Sequence, residues 1–133
     1  MDNLIEASLA LHSKLKGKIS VENKMDVTSL DDLSLLYSPG VAQPCLKIKE
    51  HKEAVYDYTW KGNTVAVVSN GSAVLGLGDI GPEAGLPVME GKAMLFKAFS
   101  GLNAVPLVID VNNPDEIIAF CKMIAPTFGG INL

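Results

Sequence analysis

The chain has 133 residues, of which 48% are hydrophobic and 20% are charged, and its formal net charge is −4. This length suits one domain and is short for a substrate domain joined to a complete dinucleotide-binding domain. The 11 basic residues are scattered and no apolar run approaches the ~20 residues of a membrane helix, so neither nucleic acid nor a membrane is an expected partner. The amino terminus lacks the pattern of a secretion signal, which predicts a cytoplasmic protein.

The amino-terminal part is predicted to be helical. A first helix should cover residues 2–17, because apolar residues recur there at roughly helical spacing, namely Leu4, Ile5, Leu9, Leu11 and Leu15. A short helix is expected at Leu30–Leu36 and another at residues 39–50.

The rest of the chain alternates strand and helix patterns. Thr64–Ser69 is rich in β-branched residues, and Asn70-Gly71 is a favoured turn dipeptide, so a hairpin with a second strand at residues 72–77 is predicted. The following elements should be an irregular loop at 76–87, a helix at 88–100, a strand at 105–110, a helix capped by Asn113 and a strand at 128–133.

This order predicts the α/β class: a small mixed, mostly parallel sheet with flanking helices and a helical amino-terminal segment. A natural domain seldom stops on a strand, because a closing helix or segment usually follows it. We therefore expect residues 1–133 to be one domain of a longer protein.

A glycine-rich string offers one candidate site. Gly76, Gly78 and Gly81 satisfy the G-x-G-x-x-G pattern, with Asp79 inside it. In a dinucleotide-binding fold this pattern brings backbone amides to a pyrophosphate. Here prolines and a further glycine follow at once, so the pattern favours a tight loop that lines a site, with cofactor contact as the weaker alternative.

Lys92 is the most informative ionisable residue. Its helical neighbours are all apolar, being Val88, Met89, Leu95 and Phe96. A lysine on a buried face has its charged form disfavoured by desolvation, which suits a general base. The alternative is that its chain extends past these residues to water. Lys97 lacks this apolar surrounding and is a poorer candidate.

Tyr37 is the second candidate. The Ser-Pro-Gly turn that follows it can hold its phenol at the edge of a cleft, where it would serve as a proton donor. The alternative is a half-buried aromatic ring whose hydroxyl binds the backbone. Cys45 and Cys121 are predicted to be reduced core residues, and no residues show the spacing of a metal site.

Three stretches resemble the malic enzymes in their short bacterial form. They are LLYSPGVAQPC around Tyr37, VAVVSNGSAVLGLGDIGPEAGLPVMEGKAMLFKAFSG through Lys92, and APTFGGINL at the end. The resemblance implies oxidative decarboxylation of malate to pyruvate with NAD or NADP and a divalent metal, Mn²⁺ or Mg²⁺. It also implies that Lys92 is the general base, that Tyr37 is the general acid, and that the protein is a homodimer.

The resemblance also marks what the chain lacks. Longer relatives have an arginine before the glycine loop, where this sequence has Ser72 and Ala73, so the anchoring of substrate is open. Family members continue after the INL segment with a Glu-Asp metal-binding pair, a later Asp ligand and a nucleotide-binding domain. Residues 1–133 would then be a substrate-side domain, truncated before those parts, inactive alone and without bound cofactor.

Other functions stay open at this point. Within the family, malolactic conversion of malate to lactate and decarboxylation of oxaloacetate would use the same lysine and tyrosine. Outside catalysis, the chain could be a ligand-binding or dimerisation module. A dinucleotide-binding domain based on Gly76 to Gly81 is a further alternative.

Overall fold

The computed structural model describes residues 1–133. The helices are Asp2–Leu15 (α1), Leu30–Leu36 (α2), Ala42–Glu50 (α3), Val55–Tyr58 (α4), Pro82–Ser100 (α5) and Pro114–Ile124 (α6), and the strands are Thr64–Ser69 (β1), Asn103–Val108 (β2) and Gly130–Asn132 (β3). Short 3₁₀ turns at Lys52–Ala54 and Trp60–Gly62 flank α4. The sequence patterns did not indicate α4 or these two turns.

The three strands form one sheet in the order β2-β1-β3, and both pairings are parallel. β1 lies in the centre, so its backbone is hydrogen-bonded on both sides. Each crossover between strands runs through a helix, α5 after β1 and α6 after β2. The predicted α/β class is confirmed.

The core lies on the two faces of β1. Ala66 and Val68 are 0% and 2% exposed and form a cluster with Phe128, against which Phe120 and Ile124 of α6 pack. Because side chains alternate along a strand, Val67 faces the opposite side, where α5 covers the sheet and buries Ala93. Burial of each such valine stabilises the fold by roughly 1.5–3 kcal/mol.

The hairpin predicted after β1 is wrong. Residues 72–77 form turns with one isolated bridge between Val74 and Gly78, and no antiparallel strand joins the sheet. Both edges of β1 are already taken by β2 and β3, which leaves no edge for a hairpin partner. The amides of Ile80 and Gly81 instead donate to the Gly71 carbonyl and close the segment into a loop.

The irregular loop predicted at residues 76–87 is also too long. α5 begins at Pro82, because a proline in the first helical turn has no amide that needs a partner. Pro87 is tolerated inside the helix, and its carbonyl accepts a hydrogen bond from Lys18 Nζ at 2.7 Å. Gly85 is buried because it packs against Gly71. A Cβ added to Gly85 would lie 3.4 Å from the Gly71 Cα.

A capping box begins α2. The Ser29 hydroxyl accepts from the Asp32 amide at 3.1 Å, and the Asp32 carboxylate accepts from the Ser29 amide at 3.1 Å and the Thr28 amide at 3.0 Å. Hydrogen bonds hold the pKa of Asp32 below its ordinary value. The bond from the Thr28 amide has the largest effect, and the bonds with Ser29 add to it.

We expect α2 to loosen in acid. A carboxyl group whose pKa is lowered by folding stabilises the fold above its unfolded pKa, about 3.9, and this contribution is lost as pH falls through the lower folded value. An NMR titration should show Asp32 ionising below free aspartate, together with shifts of the α2 amides. Asp32→Asn should remove that amide transition, and an Asp32 that titrates like free aspartate would contradict this account.

The amino-terminal helices lie at the surface. None of α1, α2 and α3 contains a buried residue, and large apolar side chains on them face outward, for example Leu4 at 73% exposure. Cys45, predicted to be in the core, is exposed on α3, whereas Cys121 of α6 packs against the core cluster. None of the helices combines the length and the apolar character needed to cross a membrane.

Candidate functional site

A contact between α5 and the end of β3 brings two polar side chains together. Lys92 Nζ donates a hydrogen bond to Asn132 Oδ1 at 3.0 Å, in a partly buried setting. Asn132 pairs with Val67 in the parallel register, so its side chain lies on the face of the sheet that α5 covers. The contact lies beside the middle of β1, which continues for two residues beyond Val67.

The surroundings of Lys92 match the sequence prediction in part. Met89 and Phe96 are half-buried, while Val88 and Leu95 are exposed. Lys92 itself is half-buried and borders a shallow depression of about 260 Å³. The ion pair found in the structure joins Lys47 and Glu50 on α3, so within these residues the Lys92 amine faces a neutral amide and no carboxylate.

The glycine loop starts where β1 ends. Gly76, Gly78 and Gly81 have φ values of 81°, 76° and 82°, a region that residues with a Cβ adopt at a cost. Gly81 immediately precedes α5, as a phosphate-binding loop would require. The amides of Ile80 and Gly81 are hydrogen-bonded within the loop, however, and Asp79 is exposed. The residues therefore form a tight loop between β1 and α5, and their position beside a site and their contact with a cofactor stay predictions.

No hydrogen bond joins Tyr37 to Lys92, whose amine donates to Asn132. Tyr37 ends α2, where its amide donates to the Leu33 carbonyl, and its side chain is 69% exposed. Extensive packing of α2 against α5 is absent from the fold. The roles of the two residues as acid and base stay predictions.

The chain does not provide a metal centre by itself. No three side chains of the His, Cys, Asp or Glu types lie close enough to bind one ion. The donor set that these residues offer by themselves therefore does not fit a divalent metal.

A large cavity is lined by residues other than Lys92 and Asn132. It has a volume of about 1140 Å³ and is bounded by the segment after α1, by α4, by α5 and by the start of β2. Asn63 and Asn103 in its wall precede or begin strands, so the cavity lies at the amino ends of the sheet. Neither Tyr37 nor Lys92 lines it.

Asn132 is the site residue that sequence reasoning missed. The available signal was an amide side chain at the end of an apolar, strand-like segment at the carboxyl edge of a predicted parallel sheet. Its partner could not be identified from sequence, because Lys92 lies 40 positions away along the chain.

Comparison with known proteins decides the family. The family model described as "Malic enzyme, N-terminal domain" matches residues 16–133. The chain belongs to the malic enzyme family. It is 56% identical over 131 residues to the bifunctional malic/malolactic enzyme of Bacillus subtilis, covering 98% of this chain and 32% of that protein. It is 53% identical to the NAD-dependent malic enzyme of Geobacillus stearothermophilus, covering 98% of this chain and 27% of that protein.

Solved malic enzyme structures share the fold. The malic enzyme of Pyrococcus horikoshii is 58% identical with a TM-score of 0.86, over 88% of this chain and 27% of that one. The NAD-dependent malic enzyme of Thermotoga maritima is 51% identical with a TM-score of 0.91, over 94% of this chain and 33% of that one. The chain thus spans about a third or less of these malic enzymes.

Proposed function

We propose that this chain is the substrate-side domain of an enzyme that oxidises and decarboxylates malate to pyruvate with NAD or NADP. The observation that carries the proposal is the Lys92 amine, held by Asn132 against the sheet of a malic enzyme domain. Within these residues the side-chain partner of Lys92 is this amide, and the ion pair of the structure lies elsewhere, on α3. The relatives' names include both NAD-dependent and NADP-dependent enzymes, which supports a nicotinamide cofactor without choosing between them.

In the proposed chemistry, Lys92 accepts one proton and Tyr37 donates one. Lys92 takes the proton of the malate C2 hydroxyl, and the nicotinamide, when bound, would accept the hydride that leaves C2. The C3–C4 bond of the resulting keto acid then breaks, carbon dioxide departs, and the electron pair forms the enolate of pyruvate. Tyr37 donates a proton to C3. The products are pyruvate, carbon dioxide and reduced nicotinamide, which balance malate and the oxidised cofactor.

Tyr37 must reach the substrate through assembly with residues outside this folded domain. Its exposure and the lack of extensive packing between α2 and α5 support that requirement. A phenol that is exposed in the domain is free to meet a substrate held between surfaces of a larger protein.

A second candidate is malolactic activity, in which malate gives lactate and carbon dioxide. It is favoured by the similarity to an enzyme named as bifunctional for both reactions. The hydride taken from C2 would return to the bound pyruvate, so that lactate forms with no net reduction of the cofactor.

The first assay measures malate-dependent formation of NADH and NADPH by the intact gene product, with Mn²⁺ present, alongside pyruvate and lactate. Malate-dependent reduction of the cofactor with matching pyruvate would support the proposal. Lactate without reduced cofactor would favour the malolactic candidate. Decarboxylation of oxaloacetate alone, or no reaction with malate, would contradict both.

We also propose that the protein is a homodimer and that it resides in the cytoplasm. Support for self-association comes from α1, a helix without buried residues whose Leu4, Leu11 and Leu15 are all more than half exposed. An apolar stripe of this kind usually packs against another surface. The cytoplasmic location is in keeping with the two free cysteines.

Leu11→Glu should weaken self-association by about tenfold or more, because it places a charge within the apolar stripe. Ser13→Glu is the matched control, since Ser13 is exposed on the opposite side of the same helix. Sedimentation velocity across a range of concentrations measures both variants. Unchanged dimerisation of Leu11→Glu would exclude this stripe as the interface.

A further inference from the structure

Asn132 is fixed more firmly than a residue near the end of a short strand would suggest. β3 pairs with the central strand β1, and the Gly129 amide donates to the Thr64 carbonyl at 2.9 Å. The turn before β3 is held by Lys61, whose Nζ donates to the carbonyls of Ala125 and Phe128. The backbone that carries Asn132 is therefore tied to β1 on one side and to the end of α6 on the other.

The amide of Asn132 directs the Lys92 amine. Its Oδ1 accepts one N–H of Lys92 and so fixes the direction in which the rest of the amine points. A long lysine side chain has several rotatable bonds and loses much rotational freedom when it is held. A base that is already oriented needs less reorganisation to meet the substrate hydroxyl, and small displacements of a reacting group lower rates strongly.

Within these residues, Asn132 is the side chain that holds the Lys92 amine. The strands packed against α5 contain no titratable residue, since β1, β2 and β3 read TVAVVS, NAVPLV and GIN. The nearby charges on α5 have other partners: the Glu90 carboxylate accepts from the Lys18 amide, and Lys97 donates to Gly101 and Asn103.

We propose that Asn132 is a positioning residue for Lys92: its side-chain amide holds the lysine amine in the orientation for proton transfer. This role rests on the proposed function, in which Lys92 is the base. It assigns a task to a residue of β3 that contacts the base and not the substrate.

The test uses the intact gene product with malate and the nicotinamide cofactor. Asn132→Ala should lower kcat by about tenfold to hundredfold with a much smaller change in KM, because the base is misplaced while substrate binding is retained. Asn103→Ala is the matched control: Asn103 accepts from Lys97 at 3.1 Å, so the variant also removes a lysine–asparagine contact between α5 and the sheet. It should leave kcat nearly unchanged.

Asn132→Asp separates orientation from packing, because the two side chains have nearly the same shape. The carboxylate keeps an acceptor for Lys92 but favours its ammonium form, so activity should be low near neutral pH and recover as pH rises. A merely structural role would leave the pH profile of this isosteric variant unmoved.

The outcomes separate the positioning role of Asn132 from the proposed malic enzyme activity. Wild-type kcat in Asn132→Ala, or a wild-type pH profile in Asn132→Asp, would overturn the positioning role while leaving the enzyme assignment intact. Equal losses in Asn132→Ala and Asn103→Ala would also overturn it, since both would then report general weakening of the fold. Failure of the wild-type protein to act on malate would overturn the proposed function and this role with it.

Discussion

Replacing Lys92 with alanine in the intact protein is expected to lower kcat by about 10²–10⁴-fold, the usual contribution of a positioned acid or base. The Lys92 amine is the group that the proposed chemistry needs for the hydroxyl proton, and it is held against the sheet by Asn132. Steady-state kinetics with malate measure the loss. Lys92→Arg should be similarly inactive, because an arginine keeps the charge and cannot act as a base near neutral pH.

Lys97→Ala is the control for this prediction. Lys97 lies on the same helix, is exposed, and donates to the Gly101 carbonyl and to Asn103. Its replacement removes a lysine and its hydrogen bonds from α5 without touching Lys92, so turnover should stay close to the wild-type rate. Near-normal turnover by Lys92→Ala would exclude Lys92 as the base.

Gly71→Ala should cause the largest loss of stability, about 2–5 kcal/mol of unfolding free energy. Gly71 has a φ of 72°, and a Cβ there would overlap the Gly81 carbonyl, which belongs to the backbone and cannot move aside cheaply. The Gly71 carbonyl also accepts the amides of Ile80 and Gly81, so any displacement would disturb the start of α5. Urea unfolding followed by circular dichroism measures the change.

Gly91→Ala is a control that should raise the free energy of unfolding, whereas Gly71→Ala should lower it. Gly91 lies inside α5, and a Cβ there would meet no atom within 4 Å. The alanine should stabilise the helix by roughly 0.5–1 kcal/mol, because glycine loses more backbone freedom when the helix forms. If Gly71→Ala were as stable as wild type, the tight contact between Gly71 and Gly81 would not exist in solution.

The sequence located several elements with correct bounds. Thr64–Ser69 is a strand and Leu30–Leu36 a helix, as predicted. At α6, Asn113 accepts from the Asp115 amide at 2.8 Å and Pro114 stands in the first turn. These elements share strong local signals, a β-branched run or a capping residue beside a proline, so their conformation depends little on distant residues.

The wrong predictions concern segments in which the local sequence pattern and the tertiary contacts favour different structures. Asn70-Gly71 does reverse the chain, but the following residues fold back on Gly71 because β1 has no free edge. Cys45 was placed in the core from its residue type alone, yet α3 lies at the surface of this domain. In both cases the structure depends on residues that are distant along the chain.

By itself, the sequence determined the α/β class, the central strand, the resemblance to the malic enzymes and the two residues predicted to transfer protons. Those features depend on local periodicity and on motifs whose residues are neighbours along the chain. Only the tertiary structure decided that all strands are parallel, that α5 begins at Pro82, and that Asn132 holds the lysine. Each of these depends on which strand edges and helix faces meet, and such contacts join residues far apart in the chain.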